Sequence, residues 1–112
     1  MKEIKAYIKK HKLSEVTRAL RTIEGLTGMS VMECRGFGVG WSGAQAQAHD
    51  DLLDYQHGVK VEIMCRDDLA EAVVTAIQKA AHTGLKGDGK IYVGDIGMAI
   101  RISTGEKGAG AV

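Results

Sequence analysis

The sequence lacks the features that mark several protein classes. None of its apolar runs approaches the ~18 residues of a membrane-spanning helix, and no apolar signal core follows the alternating start Met1-Lys2-Glu3-Ile4. Its charges nearly cancel, with 15 basic and 14 acidic residues and a net charge of +1, so no overall field attracts nucleic acid or an anionic membrane. We therefore expect a cytoplasmic protein that is not membrane-embedded and does not bind nucleic acid.

Residues that could support metal, redox or nucleophilic chemistry are sparse. Cys34 and Cys65 lie in separate β-like runs without C-x-x-C spacing, which favours buried reduced thiols over a disulfide or a metal pair. No nucleophile with an adjacent base can be identified, and neither can a metal-binding carboxylate pair. The sequence thus predicts a protein that is not an enzyme and needs no cofactor. A weaker candidate for a metal site is the group His49, Asp50, Asp51 and His57.

The chain has the size of one domain, residues 1–112. Its 45% hydrophobic and 26% charged residues are typical of a globular protein with a core. Hydrophobic periodicity predicts a β-α-β-β-α-β order with a short final strand, the pattern of an α+β, ferredoxin-like sandwich whose helices share one face of an antiparallel sheet. The predicted strands cover about residues 2–9, 29–35, 59–65, 90–93 and 98–103, and the predicted helices about 14–24 and 68–82.

Local patterns predict where the helices begin, what covers the face of the sheet without helices, and whether the tail is ordered. Ser14 is predicted to cap the first helix, and Asp68 with Glu71 resembles a capping box at the second. Apolar residues that face both ways from the third strand predict that subunit association covers the helix-free face. The tail, at about residues 104–112, is predicted to be flexible.

A glycine-rich loop joins the second helix to the fourth strand, at about residues 82–90. It contains Thr83-Gly84-Leu85-Lys86-Gly87-Asp88-Gly89-Lys90, and we call it the glycine loop. Glycines let backbone N–H groups approach an anion closely, and a lysine adds a compact positive charge. These residues alone leave two interpretations open, a phosphate-binding cradle and an ordinary turn between a helix and a strand.

A second unusual segment joins the second and third strands. Residues 37–57 form a connection far longer than is usual in a compact domain. It carries Tyr55 and the only tryptophan, Trp41, and exposed aromatic side chains are favoured anchors in partner interfaces. We interpret the segment as a partner-binding arm, with Trp41 folded against its own sheet as an equal alternative.

Several stretches together resemble the PII signalling proteins, and the resemblance covers most of the chain. The glycine loop with its flanks is highly specific to that family, so the resemblance favours the phosphate cradle over the ordinary turn. The similar stretches are Met1-Lys2-Glu3-Ile4-Lys5-Ala6, Thr27-Gly28-Met29-Ser30-Val31, Gly36-Phe37-Gly38, Lys60-Val61-Glu62-Ile63, Thr83 to Val93, and Ile100-Arg101 with Thr104-Gly105-Glu106.

The resemblance implies a homotrimer that holds adenine nucleotides (ADP, AMP or ATP) in clefts between neighbouring subunits. It also implies that residues 37–57 are the family's T-loop, which docks on a target protein according to the nucleotide bound. The glycine loop, called the B-loop in the family, would bind phosphate, and Arg101 of an adjacent subunit would reach the same phosphates. By position, the implied nucleotide-binding residues are Ser30, Gly36, Phe37, Gly38, Glu62, Met64, Gly87, Asp88, Gly89, Lys90 and Arg101.

The sequence departs from the family's pattern at several charged positions. Val39 and Gly40 stand where members that sense 2-oxoglutarate carry arginine and a metal-binding glutamine, and Gly58 replaces a lysine that pairs with the oxoacid. Ser103 replaces a second arginine at the outer phosphates, and Asp51 lies where some members have a uridylylated tyrosine. The resemblance therefore implies ADP or AMP binding without 2-oxoglutarate sensing or uridylylation.

Two other functions compete with a nucleotide-responsive regulator. One is a metal-responsive module that uses the histidines and aspartates of the long segment. The other is a slow nucleotide hydrolase, for which Asp88, Glu62 and His82 are the available acids or bases.

Overall fold

A computed structural model describes residues 1–37 and 56–112 and shows one α+β unit. Residues 38–55 of the predicted T-loop, with Trp41 and Tyr55, lie outside the described residues, and the third strand begins at Gln56, three residues earlier than predicted. The described chain contains four strands, two α-helices and short 3₁₀ turns. Their bounds are β1 Lys2–Ile8, a 3₁₀ turn Lys10–Lys12, α1 Leu13–Arg21, β2 Ser30–Gly36, β3 Gln56–Cys65, α2 Asp67–Ala81, β4 Gly89–Asp95 and a 3₁₀ turn Ala109–Ala111.

The four strands form one sheet in the order β2-β3-β1-β4, and every neighbouring pair is antiparallel. In β1, Ile4 lies opposite Ile63 of β3 and Val93 of β4, so the first strand of the chain is a central strand of the sheet. Residues of both helices pack with one face of the central strands β1 and β3, so the two helices lie on the same side of the sheet. This arrangement confirms the predicted ferredoxin-like sandwich.

The core lies between one face of the sheet and both helices. Alternate residues of β1 and β3 are buried on that face, as the period of two in their sequences predicts. The helices contribute residues at helical spacing from α1 and α2. The buried set is Ile4, Ala6, Ile8, Val16, Leu20, Val59, Val61, Ile63, Cys65, Val73, Ile77 and Ala81.

The other face of the sheet is free of helices, and we call it the open face. Residues opposite one another in antiparallel strands share a face, so the register assigns Glu3, Lys5 and Tyr7 of β1 to the open face with their partners in β3 and β4. The Tyr7 and Tyr92 rings meet there edge to face, with centroids 6.2 Å apart. Subunit association across this face stays a prediction.

The predicted helix caps are wrong. Helix α1 begins at Leu13, one residue before Ser14, and no side chain caps it. Helix α2 begins at Asp67, and the Asp68 carboxylate accepts hydrogen bonds from the Arg66 guanidinium at 3.1 and 3.2 Å. Because Asp68 is inside the helix and already bonded to Arg66, it cannot act as the cap of a capping box. The two helices of the described ranges are too short and too polar to span a membrane.

The predicted strand at 98–103 is also wrong. Only Ile100 forms a β-bridge, with Lys107, because the chain turns back on itself at Gly105, whose φ is +75°. The Gly105 N–H donates to the Arg101 carbonyl at 2.7 Å, and the Gly108 N–H donates to the Ala99 carbonyl at 2.9 Å. Residues 99–108 thus form a small hairpin, whose second arm belongs to the predicted tail. The flexibility of the tail in solution stays a prediction.

The two cysteines are free, but they differ in environment. Cys65 is buried in the core, and burial raises the pKa of its thiol, as expected for an inert packing residue. Cys34 is only half-buried, because β2 is an edge strand of the sheet. The prediction of two buried thiols is therefore right for Cys65 and wrong for Cys34.

Candidate functional site

The glycine loop is shaped by backbone conformations that only glycine adopts easily. Gly84, Gly87 and Gly89 have φ values of +82°, +83° and +108°. Gly89 also lies directly against β1, where a Cβ atom would sit 1.6 Å from the Tyr7 carbonyl oxygen. The geometry therefore requires glycine at position 89, because a side chain there would push β4 away from β1.

The Asp88 carboxylate points into the glycine loop and holds it in shape. Oδ2 accepts a hydrogen bond from the Thr83 N–H at 2.8 Å, and Oδ1 accepts one from the Thr83 hydroxyl. The Lys9 ammonium lies 3.2 Å from Oδ1, and the His82 Nδ1 atom lies 3.6 Å from Oδ2. The Thr83 hydroxyl oxygen in turn accepts from the Leu85 N–H at 3.0 Å. The loop is thus closed around one carboxylate.

This network holds the negative charge of the loop inward and leaves its lysine charges exposed. The hydroxyl and N–H of Thr83, with the Lys9 ammonium, hold the pKa of the Asp88 carboxyl well below its usual range. Lys9 balances the Asp88 charge, while the exposed Lys86 and Lys90 form no ion pair within the described part of the chain. The outer surface of the loop therefore carries two exposed ammonium groups on a backbone with three glycines, a combination suited to an anion.

Replacing Asp88 by asparagine is expected to lower the melting temperature at pH 7, because a neutral amide cannot replace the carboxylate between Thr83 and Lys9. The folded-state pKa is depressed, so this stabilisation is complete above the unfolded-state value of about 3.9 and is lost as the pH falls through the folded-state pKa. The gap between wild-type and Asp88→Asn melting temperatures should therefore narrow below about pH 4.

The control for this prediction is Asp95→Asn. The Asp95 carboxylate also pairs with a lysine, Lys2, but its side chain is 83% exposed, and exposed ion pairs contribute little to stability. Thermal melts followed by circular dichroism at pH 7 and at acidic pH would compare the two variants. Equal shifts at Asp88 and Asp95 would contradict a special role for the loop network.

Two cavities adjoin the glycine loop. The larger, about 360 Å³, lies between the end of α2 and the start of β4, where Ala81 and Lys90 are among its lining residues. The smaller, about 40 Å³, brings the loop next to the beginning of β3, where the long segment rejoins the sheet. The smaller cavity is lined by Tyr7, Ile8, Lys9, His57, Gly58, Gly87 and Gly89.

The open face carries four of the predicted nucleotide-binding residues. Ser30 lies directly opposite Glu62, and Met64 follows two residues along the same strand. Lys90 lies opposite Tyr7, so it enters this face from the glycine loop. The Glu62 carboxylate lies 2.5 Å from the Lys60 ammonium, and this hydrogen-bonded contact lowers the pKa of Glu62.

Other predicted residues are not brought to the loop by the described chain. Gly36 ends β2 opposite Gln56, and Phe37 follows it with its side chain exposed. The Arg101 guanidinium donates to the Gly110 carbonyl at 3.3 Å and lies 3.7 Å from a Glu106 carboxylate oxygen. It lines neither of the two cavities described above. Gly38 lies outside the described residues.

The residues of the two competing functions are only partly described. His57 lines the smaller cavity, and no group of three or more potential metal ligands occurs in the ranges 1–37 and 56–112. His49, Asp50 and Asp51 lie outside those ranges, so the metal hypothesis stays a prediction. For a hydrolase, Asp88 is held by Thr83 and Lys9, and Glu62 is held by Lys60.

The matching family model supplies the decisive comparison. The model described as "Nitrogen regulatory protein P-II" matches residues 1–106 of the chain. The chain belongs to the nitrogen regulatory protein P-II family. Three relatives of that name are similar to it over their whole length and the whole of this chain: those of Bradyrhizobium diazoefficiens, Azospirillum brasilense and Rhizobium meliloti, which are 46%, 42% and 44% identical to it.

Sequence reasoning missed two parts of this P-II protein's loop. The sequence predicts Lys9 only as the last residue of the first strand, yet its ammonium contacts Asp88 and lies 3.3 Å from the Thr83 hydroxyl. Thr83 was regarded only as the start of the glycine loop, although its hydroxyl and N–H both bind the carboxylate. The spacing of Thr83 and Asp88 is compatible with such a turn, but nothing in one sequence connects either residue to Lys9.

Proposed function

We propose that this P-II protein binds an adenine nucleotide, with the phosphates at the glycine loop, and regulates a partner protein through its T-loop. The observation that carries the proposal is the inward-facing Asp88 carboxylate, since it leaves the exposed ammonium groups of Lys86 and Lys90 as the outward charges of the loop. Bound nucleotide would favour one state of the T-loop by its different affinity for the loop's states.

The nucleotide site is completed, in this proposal, by a second subunit of a homotrimer. Small-molecule sites commonly enclose ~300 to 1,000 Å³. The cavity between the glycine loop and the start of β3 measures only about 40 Å³. The 360 Å³ cavity reaches the end of α2, and neither cavity is lined by Ser30, Glu62 or Met64, so the described part of one chain alone does not join the loop to these residues. Arg101, exposed and distant from the loop's contacts, is available to a neighbouring subunit's site.

We further propose that the ligand is ADP or AMP rather than ATP with 2-oxoglutarate. Gly58 lines the smaller cavity and brings no charge to it, and Ser103 offers no guanidinium. Charge-assisted hydrogen bonds contribute roughly 1.5 to 3 kcal/mol each, so their loss weakens binding of a triphosphate or a dicarboxylate. We propose that the protein is not uridylylated, because Asp51 stands where the modified tyrosine of some family members lies. The proposed role is that of a cytoplasmic regulator without catalytic activity.

Calorimetric titration with ATP, ADP and AMP tests the nucleotide proposal. Lys90→Ala is expected to weaken ADP binding by about tenfold or more, because a charge-assisted contact to phosphate is lost. Arg101→Ala is expected to weaken it similarly. Lys79→Ala removes an equal charge from the exposed surface of α2 and should leave the affinity unchanged. Absence of binding at millimolar nucleotide would refute the proposal, and an unchanged affinity of Lys90→Ala would refute the location of the site.

A further inference from the structure

Positive charge is concentrated in one stretch of an almost neutral chain. Residues 9–21 contain five Lys and Arg residues against a single Glu, whereas the whole chain has a net charge of +1. The remainder of the protein is therefore net negative. Such a concentration creates a local positive potential without the overall charge that general polyanion binding requires.

The structure places much of this charge along one side of α1. Thr17 and Arg18 lie three and four residues after Ser14, and Arg21 lies four and three residues after them, so the four residues share a helix face. The preceding 3₁₀ turn adds Lys10 and His11 to the same surface. Together with Leu13 these residues line a shallow groove of about 660 Å³, which we call the α1 groove.

The cations of the α1 groove are available to an external partner. No acidic residue lines the groove, and in the described part of the chain Arg18 and Arg21 form no ion pair or hydrogen bond. Lys10 lies 3.2 Å from Glu33, but both side chains are exposed, and such pairs are easily exchanged. The Thr17 hydroxyl donates to the Leu13 carbonyl at 2.8 Å, so the arginines provide the free donors.

We propose that the α1 groove docks an acidic segment of a partner protein. Guanidinium groups bind carboxylates through two parallel hydrogen bonds, which an extended Glu- or Asp-rich segment can satisfy at successive positions. Ser14 and Arg21 are seven residues apart on the helix, which spans roughly 10 Å and matches about three residues of an extended peptide. Charged contacts of this kind mainly increase the rate at which two proteins associate, and they make the binding sensitive to salt concentration.

An acidic protein segment fits the groove better than a nucleic acid or a membrane. Duplex DNA presents charge continuously over a long surface, whereas the basic stripe is one short helix on a molecule that is otherwise net negative. A membrane-surface helix needs a broad apolar face for insertion, and Leu13 is the one apolar residue that lines the groove.

The α1 groove is separate from the proposed nucleotide site. None of its lining residues lines either cavity beside the glycine loop. The proposal thus adds a second docking surface to the one expected of the T-loop, and it does not depend on nucleotide binding. A partner that contacts both surfaces at once would gain avidity.

Fluorescence anisotropy of a labelled short polyglutamate peptide, titrated with the full chain, tests the proposal. Binding is expected at low ionic strength and should weaken as salt rises. The double variant Arg18→Glu/Arg21→Glu should bind about tenfold more weakly, and the milder Arg18→Gln/Arg21→Gln should show an intermediate loss. Excess ADP should not displace the peptide from the wild-type chain.

The control is Lys79→Glu/Lys107→Glu, which changes the net charge by the same amount outside the groove. It should retain peptide binding, and melting curves should show that all three variants are folded. Equal losses in the control and the Arg18/Arg21 variants would overturn the proposal, as would displacement by ADP or absence of peptide binding. Tighter binding of duplex DNA or phosphatidylglycerol vesicles, lost in the same arginine variant, would assign the groove to that partner instead.

Discussion

The variant Gly89→Ala is expected to unfold at a temperature lower than the wild type by about 10 °C or more. A Cβ atom at this position would lie 1.6 Å from the Tyr7 carbonyl oxygen, and the backbone has a φ of +108° that alanine adopts only under strain. Relief of the clash requires separation of β4 from β1 where Gly89 faces Ile8. We expect a loss of more than about 3 kcal/mol in the free energy of unfolding, and weaker nucleotide binding.

Gly94→Ala is the control, since it is the same substitution in the same strand. A Cβ atom at Gly94 meets no atom within 4 Å, and the residue is absent from the glycines with positive φ. Its melting temperature should equal that of the wild type or exceed it slightly, because alanine restricts the unfolded chain. If Gly89→Ala were as stable as Gly94→Ala, the close contact described between Gly89 of β4 and Tyr7 of β1 would be incorrect.

Ile63→Ala is expected to lower the free energy of unfolding by about 2 to 5 kcal/mol. The Ile63 side chain is 1% exposed and lies opposite Ile4 at the centre of the sheet, under both helices. Truncation removes buried methyl and methylene groups and leaves a cavity that the packed sheet cannot close. Urea unfolding of the dilute protein, followed by circular dichroism, would measure the loss.

Ile102→Ala removes the same atoms from a side chain that is 99% exposed. In dilute solution it should change the free energy of unfolding by less than about 0.5 kcal/mol. If Ile102 packs against another subunit, the variant should instead lower the melting temperature in a concentration-dependent way. Equal, concentration-independent losses in Ile63→Ala and Ile102→Ala would contradict the assignment of the core.

The fold could be predicted from the sequence because its strands and helices have distinct hydrophobic periods. Alternation along β1 and β3 marks the buried face directly, and the stripe along α2 has helical spacing. Helix starts were predicted less well, since Ser14 and Asp68 are good caps in principle but neither precedes the first helical residue. The prediction of a final strand at 98–103 is wrong because the chain turns at Gly105, which leaves Ile100 as the one residue with a β-bridge partner there.

The glycine loop shows where local patterns stop being informative. Its glycines and lysines leave a phosphate cradle and an ordinary turn open, and it is the resemblance to PII proteins that favours the cradle. Neither observation predicts that Asp88 turns inward, because the carboxylate is held by Thr83 and also by Lys9. Lys9 is distant in sequence and reaches the loop only when β1 pairs with β4. Arg101 contacts two residues of its own chain, and its proposed contribution to a neighbouring site depends on contacts between subunits.

The width of a single strand separates the glycine loop from the start of β3. Ile8 of β1 lies opposite Gly89 on one side and Val59 on the other, so the two outer positions are two strand spacings apart, roughly 10 Å. A ligand at the loop would therefore need no long relay of residues to influence the segment that rejoins the sheet at β3. The coupling between the two positions would pass through β1 alone, so substitutions elsewhere in the domain should have little effect on it.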